Sequence, residues 1–348
     1  MSNAQSDEDL AREILTSVTA SGTKRLIVVL SPGNDLRLGG ILSIGKIYQA
    51  TAAMQDVHDA TVVMCTVPGE PSLFKYTWFD NENYMLDLES VLTRCDRLDQ
   101  LLLHIPEYAV NTMLDWLAAH PSLLRDVPDV HLNVMLQNID IAAGQDIAGL
   151  VRFGRVTCTT AHEAYTTAAV REAIGVTLHR LSVCAGPEHY ARSGYEAKEP
   201  TLVVSHDEHP LKDQVLQLVA QSVPELRIQV VRDLHYDDYK ALIGRAKWSL
   251  TFGEGLDGYF VEPIFSGSVA FAVFNDRFFT PAFAQLENVY GSWEMLMESI
   301  SADLQRLDEP VAYTECWRRA YDLLSDIYST DRFRDNLAKF YRGDYTFP

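Results

Sequence analysis

Short runs of Val, Ile and Leu, apolar at nearly every position, recur along the chain, and each ends in turn residues. They are RLIVVLSPG (25–33), ATVVMCTVPG (60–69), QLLLHIPE (100–107), HLNVMLQN (131–138), RVTCTTA (155–161) and HRLSVCAGP (179–187). Helix-length stretches separate them, among them ILSIGKIYQATAAM (41–54), YAVNTMLDWLAAH (108–120) and AHEAYTTAAVREAIG (161–175). A strand apolar on both faces must be covered on both faces. Its alternation with helices therefore predicts a parallel sheet between helical layers, a doubly wound, Rossmann-like α/β domain over 1–186.

The pattern then breaks. GPEHYARSGYEAKEP (186–200) is polar, with two Gly and two Pro, and reads as a linker over 187–200. Alternation restarts with TLVVSHDE (201–208), helix PLKDQVLQLVAQSV (210–223), strand LRIQVVRDL (226–234), helix YDDYKALIGRA (236–246), strand KWSLTFGEG (247–255), a short helix from Glu262, and strand SVAFAVFND (268–276). This predicts a second Rossmann-like domain over 201–330. The tail is helical by periodicity, with Pro310 and Thr330 as helix starts. Residues 331–348 form a C-terminal helix able to cross back to the first domain.

Composition narrows the function. Forty-eight acidic against 29 basic residues leave a net charge of -19. That balance argues against nucleic acid and against docking on an anionic leaflet, both of which need clustered Lys and Arg. Five dispersed cysteines with no Cys-x-x-Cys pair suggest neither a disulfide framework nor a zinc knuckle, and Cys65, Cys158 and Cys184 read as small buried hydrophobes. No Asp-x-Asp triplet or metal-spaced His/Cys/Asp cluster stands at a strand end, so no essential metal or other cofactor is expected. The polar start MSNAQSDEDLARE and the absence of a long apolar run predict a cytoplasmic protein without a transmembrane segment. The composition is compatible with a homo-oligomer.

The chemistry concentrates in TFGEGLDGYFVEPIFSG (251–267), where Glu254 and Glu262 lie in an apolar, glycine-rich run. Ligands of two-domain α/β proteins bind at the carboxyl ends of strands. The segment leaves a strand there, Gly253, Gly255 and Gly258 permit a tight turn and a close backbone approach, and Glu254 is presented at the rim. Pro263 is favoured at a first helical position, so Glu262 is expected at or beside a helix N-cap, with Gly267 at the far end. Carboxylates accept hydrogen bonds from sugar hydroxyls, and a helix start offers N–H groups to a phosphate. Taken singly, Glu262 reads as a capping residue and Glu254 as a solvated loop carboxylate; in combination they read as a sugar-nucleotide site.

EGLDGYFVE resembles the E-x(7)-E signature of retaining, nucleotide-sugar-dependent glycosyltransferases of the GT-B fold, glycosyltransferase family 4 in particular, and FSGSVAFAVFN is similar to its continuation. The resemblance implies two Rossmann-like domains facing across a cleft. It also implies an enzyme transferring a hexose-type sugar, with retention, from a nucleotide-diphosphate sugar to an acceptor (glycan, lipid-linked glycan or protein), as in polysaccharide biosynthesis. Glu254 would orient the donor sugar and Glu262 hold the ribose. VVSHDEHPLKDQVLQLV is similar to the family's strand, loop, Lys and helix, which makes Lys212 the lysine that neutralises the diphosphate. The family's Arg ahead of that Lys is missing; His206 stands nearest its place, and Arg232 or Arg245 is an alternative. SPGNDLRLGGILSI places Gly39 and Gly40 where the family's backbone approaches the diphosphate. Gln137 and Asn138 replace a His that often ends an acceptor-side strand, and His104 is a further acceptor-side candidate. Thr160, His162 and Glu163 read as a helix start with its cap. A sugar-nucleotide epimerase and a non-catalytic binding protein of the same fold are the competing readings. A nicotinamide-dependent dehydrogenase fails at its motif, since SPGNDLRLGG lacks G-x-G-x-x-G.

Overall fold

The computed structural model describes residues 6–20, 22–36, 38–77, 83–95 and 97–348. The chain divides into two compact units, Met1–Cys184 with Asp331–Pro348, and Ala185–Thr330. The first contains helix α1 (Asp7–Ala20), strand β1 (Arg25–Ser31), α2 (Gly39–Ala52), α3 (Gln55–His58), β2 (Thr61–Thr66), β3 (Phe74–Lys75), β4 (Tyr84–Met85) and α4 (Leu88–Arg94). It continues with β5 (Gln100–Pro106), α5 (Val110–Ala119), β6 (Asp129–Leu136), α6 (Ile139–Ala142), β7 (Arg155–Thr160), α7 (Ala168–Ile174) and β8 (Thr177–Arg180). The second unit contains β9 (Glu199–Val204), α8 (Lys212–Ser222), β10 (Arg227–Val230), α9 (Tyr236–Arg245), β11 (Ala246–Leu250), α10 (Gly258–Phe265), β12 (Val269–Val273), β13 (Val289–Tyr290), α11 (Trp293–Leu307) and α12 (Pro310–Ile327). The final helix, α13 (Thr330–Arg342), lies in the first unit from Asp331 onward.

Both principal sheets are parallel. The first has the order β2-β1-β5-β6-β7-β8 and the second β10-β9-β11-β12-β13. In β1 the two-residue period divides the strand between two cores. Leu26, Val28 and Leu30 pack with α1, α4 and α5, while Ile27 and Val29 pack with Ile41 and Ile44 of α2 and with Phe333, Leu337 and Phe340 of α13. The C-terminal helix thus supplies part of the second apolar layer. After it, Phe347 exchanges both backbone hydrogen bonds with Leu178, at 2.9 Å each, and extends the β8 edge.

Several boundaries differ from the sequence reading. The strand expected at 179–187 ends at Arg180, because Ser182 turns into the left-handed region at φ 71°. The strand expected at 226–234 ends at Val230, and Asp233 turns likewise at φ 56°. The helix expected over 161–175 begins at Ala168, capped by Thr167, whose hydroxyl accepts from the Val170 amide at 3.2 Å; Thr160 and His162 do not cap it. Cys184 is half-buried rather than buried, unlike Cys65 and Cys158. Among the described residues no helix is long and apolar enough to cross a membrane.

Candidate functional site

The segment between β11 and α10 is built around a half-buried carboxylate that the sequence reading did not single out. Asp257 is the N-cap of α10, its Oδ1 accepting from the amides of Tyr259 at 2.8 Å and Phe260 at 3.2 Å. Its Oδ2 accepts from the Thr251 hydroxyl, and Thr251 Oγ1 accepts in turn from the Gly253 amide at 3.1 Å. Burial pushes the Asp257 carboxyl up to about 7, against the effect of the Thr251 bond, and the charges of Asp207 and Glu254 push the same way.

The expectation that Glu262 caps this helix is therefore corrected. The helix starts one turn earlier, at Gly258, and Pro263 lies inside it rather than at its first position. Pro263 has no N–H to give to the Tyr259 carbonyl, and that carbonyl accepts instead from Ser249 Oγ at 2.7 Å. The helix ends in a Schellman closure: Gly267 N donates to Ile264 O at 3.0 Å and Ser268 N to Pro263 O at 2.8 Å, with Gly267 at φ 91°. Gly255 is the other position that demands glycine. It has φ 92°, and an added Cβ would lie 2.9 Å from the Val273 carbonyl.

Glu262 sits in the second turn of α10 among tyrosines. Tyr236 of α9 donates to its Oε2 at 3.1 Å, and the Tyr190 hydroxyl lies 3.2 Å from that of Tyr236. Tyr239 donates to the Gly258 carbonyl at 3.1 Å and meets Tyr259 edge-on at 5.4 Å. Burial raises the Glu262 carboxyl to about 7, and the bonds from Tyr236 and Tyr190 and the Lys240 charge oppose the rise. Glu254 is exposed at the tip of the loop. Asp257 interacts electrostatically with both glutamates and so links the two members of the motif.

The loop after β9 completes this surface. An added Cβ on Gly253 would lie 2.8 Å from Asp207 Oδ2 and 2.9 Å from Asp257 Oδ2, so the two carboxylates close around this turn. His206 is exposed, with Nδ1 3.1 Å from the Tyr259 hydroxyl. Lys212 is buried at the first position of α8, its Nζ donating to the carbonyls of Ser205 and Asp207 at 2.8 Å each. Those carbonyls satisfy the ammonium that an anion was expected to satisfy, and burial lowers its pKa. Arg245 lies 3.7 Å from Glu199, a pairing outside this loop cluster.

In the first unit, Gly40 and Gln137 come together: Gln137 Nε2 donates to the Gly40 carbonyl at 3.1 Å, and a Cβ on Gly40 would strike Gln137 Oε1. Gly39 begins α2 with nothing within 4 Å of a would-be Cβ. Asn138 caps α6, its Oδ1 accepting from the Asp140 amide at 2.9 Å, while its own amide donates to buried Glu107 at 3.1 Å. His104 is the clear correction. It is wholly buried within β5, Nδ1 accepting from Asn133 at 2.9 Å and Nε2 lying 3.1 Å from the Tyr341 hydroxyl of α13, and burial lowers it to about 3. It joins a polar layer beneath α13 and is not presented to an acceptor.

The sequence reading passed over Asp257, Asp207 and the tyrosines. Asp257 was findable as an Asp directly before an apolar helical run, and Tyr236 and Tyr239 share one face of a helix by their spacing. Tyr190, in the expected linker, carries no such local signal.

No protein-family model matches the chain, and no curated protein sequence matches it. Solved structures do match in fold. The Anabaena protein HepE in complex with UDP-glucose aligns at TM-score 0.58 and 12% identity, over 91% of this chain and 99% of that one. An alpha-glucosyltransferase in complex with UDP-glucose and DNA containing an abasic site aligns at 0.55 and 9%, with the same coverage. Sucrose-phosphate synthase from Thermosynechococcus elongatus aligns at 0.53 and 10%, over 92% and 99%. A protein described as a UDP-N-acetylglucosamine 2-epimerase from Listeria monocytogenes aligns at 0.50 and 12%, over 90% and 94%. At these identities the likeness is one of fold: the chain has the GT-B fold, two Rossmann-like units with a helical C-terminus.

Proposed function

We propose that this chain is a glycosyltransferase that takes a sugar from a nucleotide-diphosphate donor, with retention of configuration, and that the donor is held by the segment from Thr251 to Gly267. The observation that carries the reading is Glu262. It is a carboxylate eight positions beyond Glu254, half-buried on a helix of a Rossmann-like unit, lined by tyrosines and accepting from Tyr236 and Tyr190. A carboxylate has about four lone-pair positions, so Glu262 keeps acceptor capacity for the two hydroxyls of a ribose. Exposed Glu254 takes the hydroxyls of the donor sugar. The role of Lys212 is indirect: by tying the Ser205 and Asp207 carbonyls together it shapes the loop that carries His206. In the first unit, the role proposed for the Gly39 and Gly40 amides concerns the diphosphate, and that of Gln137 and Asn138 the acceptor. Placement in family 4, a hexosyl specificity and a part in polysaccharide assembly belong to the same proposal, as does activity without a metal.

The test is a thermal-shift screen with UDP, GDP, ADP, TDP and their sugar conjugates, followed by donor-hydrolysis and transfer assays. UDP-sugars come first because two of the similar structures hold UDP-glucose. A ligand at about 100 times its Kd stabilises by about 2.7 kcal/mol. A shift with one nucleotide that disappears in Glu262→Ala supports the reading, and silence across the panel overturns it. One observation favours a second reading, sugar-nucleotide binding without transfer. The Lys212 ammonium is turned onto backbone carbonyls, and the α10 amides of Tyr259 and Phe260 are taken by Asp257. Binding with neither hydrolysis, epimerisation nor transfer selects that reading.

A further inference from the structure

A cavity of about 340 Å³ opens in the first unit where the strands begin, beneath the end of α13. Its walls include apolar Leu26, Ile27, Leu102 and Phe340, and three arginines line it: Arg25 at the start of β1, Arg155 at the start of β7, and Arg342 at the end of α13. Among the described residues no Asp or Glu lines it. In a chain of net charge -19, a pocket with three arginines and no carboxylate runs against the average.

The neighbouring countercharges are weak. Arg25 reaches Asp59 only at 4.0 Å, and that carboxylate is 93% exposed. Arg155 stands 3.9 Å from Asp129, whose Oδ2 is already engaged by Gln100 Nε2 at 2.6 Å. Arg342 has no ion pair among the described residues. Arg155 is also oriented: its Nη1 donates to the Tyr345 hydroxyl at 2.6 Å, and Tyr345 lines the same cavity. An anion beside Arg155 and Arg342 would meet guanidiniums that the nearby carboxylates counter only weakly. Planar guanidinium forks match phosphate oxygens, and the apolar wall and tyrosine rings suit a flat ring.

We propose that this pocket binds a small aryl or heteroaryl phosphate ester, with the phosphate at Arg155 and Arg342 and the ring against the apolar wall. It lies wholly in the first unit, at the amino ends of its strands. GT-B and other open α/β folds bind their substrates outside the carboxyl ends, so the pocket is a separate site.

The test is isothermal titration of the full chain with phenyl phosphate, and with inorganic phosphate and phenol as the two halves of the ligand. Phenyl phosphate is expected to bind at least about tenfold more tightly than either half. Arg155→Gln with Arg342→Gln should weaken it by at least about tenfold, the effect of losing charge-assisted hydrogen bonds. Both side chains are on the surface, and an unchanged circular dichroism melt will show that the variant folds. Glu262→Gln should leave the affinity unchanged. No heat from phenyl phosphate, an affinity indifferent to the arginine substitutions, or an affinity lost in Glu262→Gln instead would each overturn the proposal. Because the arginine and glutamate variants lie in different units, failure of this site is distinguishable from failure of the sugar-nucleotide site.

Discussion

Tyr236 donates to Glu262 at 3.1 Å, and this bond ties the first turn of α9 to the second turn of α10. It favours the ionised carboxylate against the burial that raises it to about 7. A ribose would donate to the same ionised form. Nucleotide affinity should therefore rise between pH 6 and 8, and Tyr236→Phe should move the midpoint of that rise upward, at a stability cost of about 1 kcal/mol. Titrations of the binding nucleotide across that range, in parent and variant, measure both midpoints. Coincident midpoints would show that Tyr236 does not tune the carboxylate.

Glu262 also predicts a pH-dependent stability. Its native pKa is raised above its unfolded value, so its contribution is complete below about 4.5 and is lost as pH rises toward 7. Over that window the loss amounts to about 1.4 kcal/mol per pH unit. Glu262→Gln removes the ionisation and keeps an acceptor for Tyr236. The variant should gain stability over the parent at pH 8 and show little difference at pH 4. Denaturant melts at the two values decide; an equal difference at both would mean that the carboxyl does not titrate in this window.

The first unit carries the opposite sign. Burial lowers His104 to about 3, His131 to about 2 and His162 to about 4. Each is neutral when folded and protonated when unfolded below about 6.5. The stability they confer is complete above that pH and lost as pH falls, at up to about 1.4 kcal/mol per pH unit for each. The bonds explain the preference: Asn133 donates to His104 Nδ1, which cannot accept once protonated. His104→Gln should flatten the loss of stability between pH 6.5 and 5 by about one proton's worth. An unchanged slope would remove His104 from the account.

Adjacent glycines at the start of α2 should respond differently. Gly39 has open space where a Cβ would go, so Gly39→Ala should stabilise by up to about 1 kcal/mol through helix propensity. A Cβ on Gly40 meets Gln137 Oε1 and displaces the bond from Gln137 to the Gly40 carbonyl. Gly40→Ala should therefore lose about 1 kcal/mol, recovered when Gln137→Ala is added. A thermal double-mutant cycle reads the coupling, and additive single effects would rule the contact out as the cause.

Gly267→Ala is expected to be the costliest of the glycine changes. Its φ is 91°, and the atom in the way is the Ser193 backbone carbonyl rather than the end of a flexible side chain. A loss of about 2 kcal/mol or more should appear as a clear fall in Tm. A neutral substitution would mean that the α10 closure can rearrange.

Much of the architecture was legible along the chain, because strands buried on both faces must be apolar at every position and their helices amphipathic. β1, β5 and β6 were readable for that reason, as was α9 from its period. α11 went unread although Leu296, Ile300, Leu304 and Leu307 carry a helical period and Ser292 caps the helix. What composition alone could not place were ends set by single dihedrals, such as Ser182 and Asp233.

The sequence by itself determined the two α/β repeats and the spacing of Glu254 and Glu262, since these are local consequences of residue type and order. Only the tertiary structure decided what each polar side chain faces. It put His104 beneath α13, turned Lys212 onto two carbonyls, made Asp257 rather than Glu262 the helix cap, and brought Tyr190 and Tyr236 to the carboxylate. It also gathered Arg25, Arg155 and Arg342 around one cavity from three distant points of the chain. Hydrogen bonds and desolvation depend on what lies within a few ångströms in space, and a parallel sheet brings together residues that sequence separation keeps far apart.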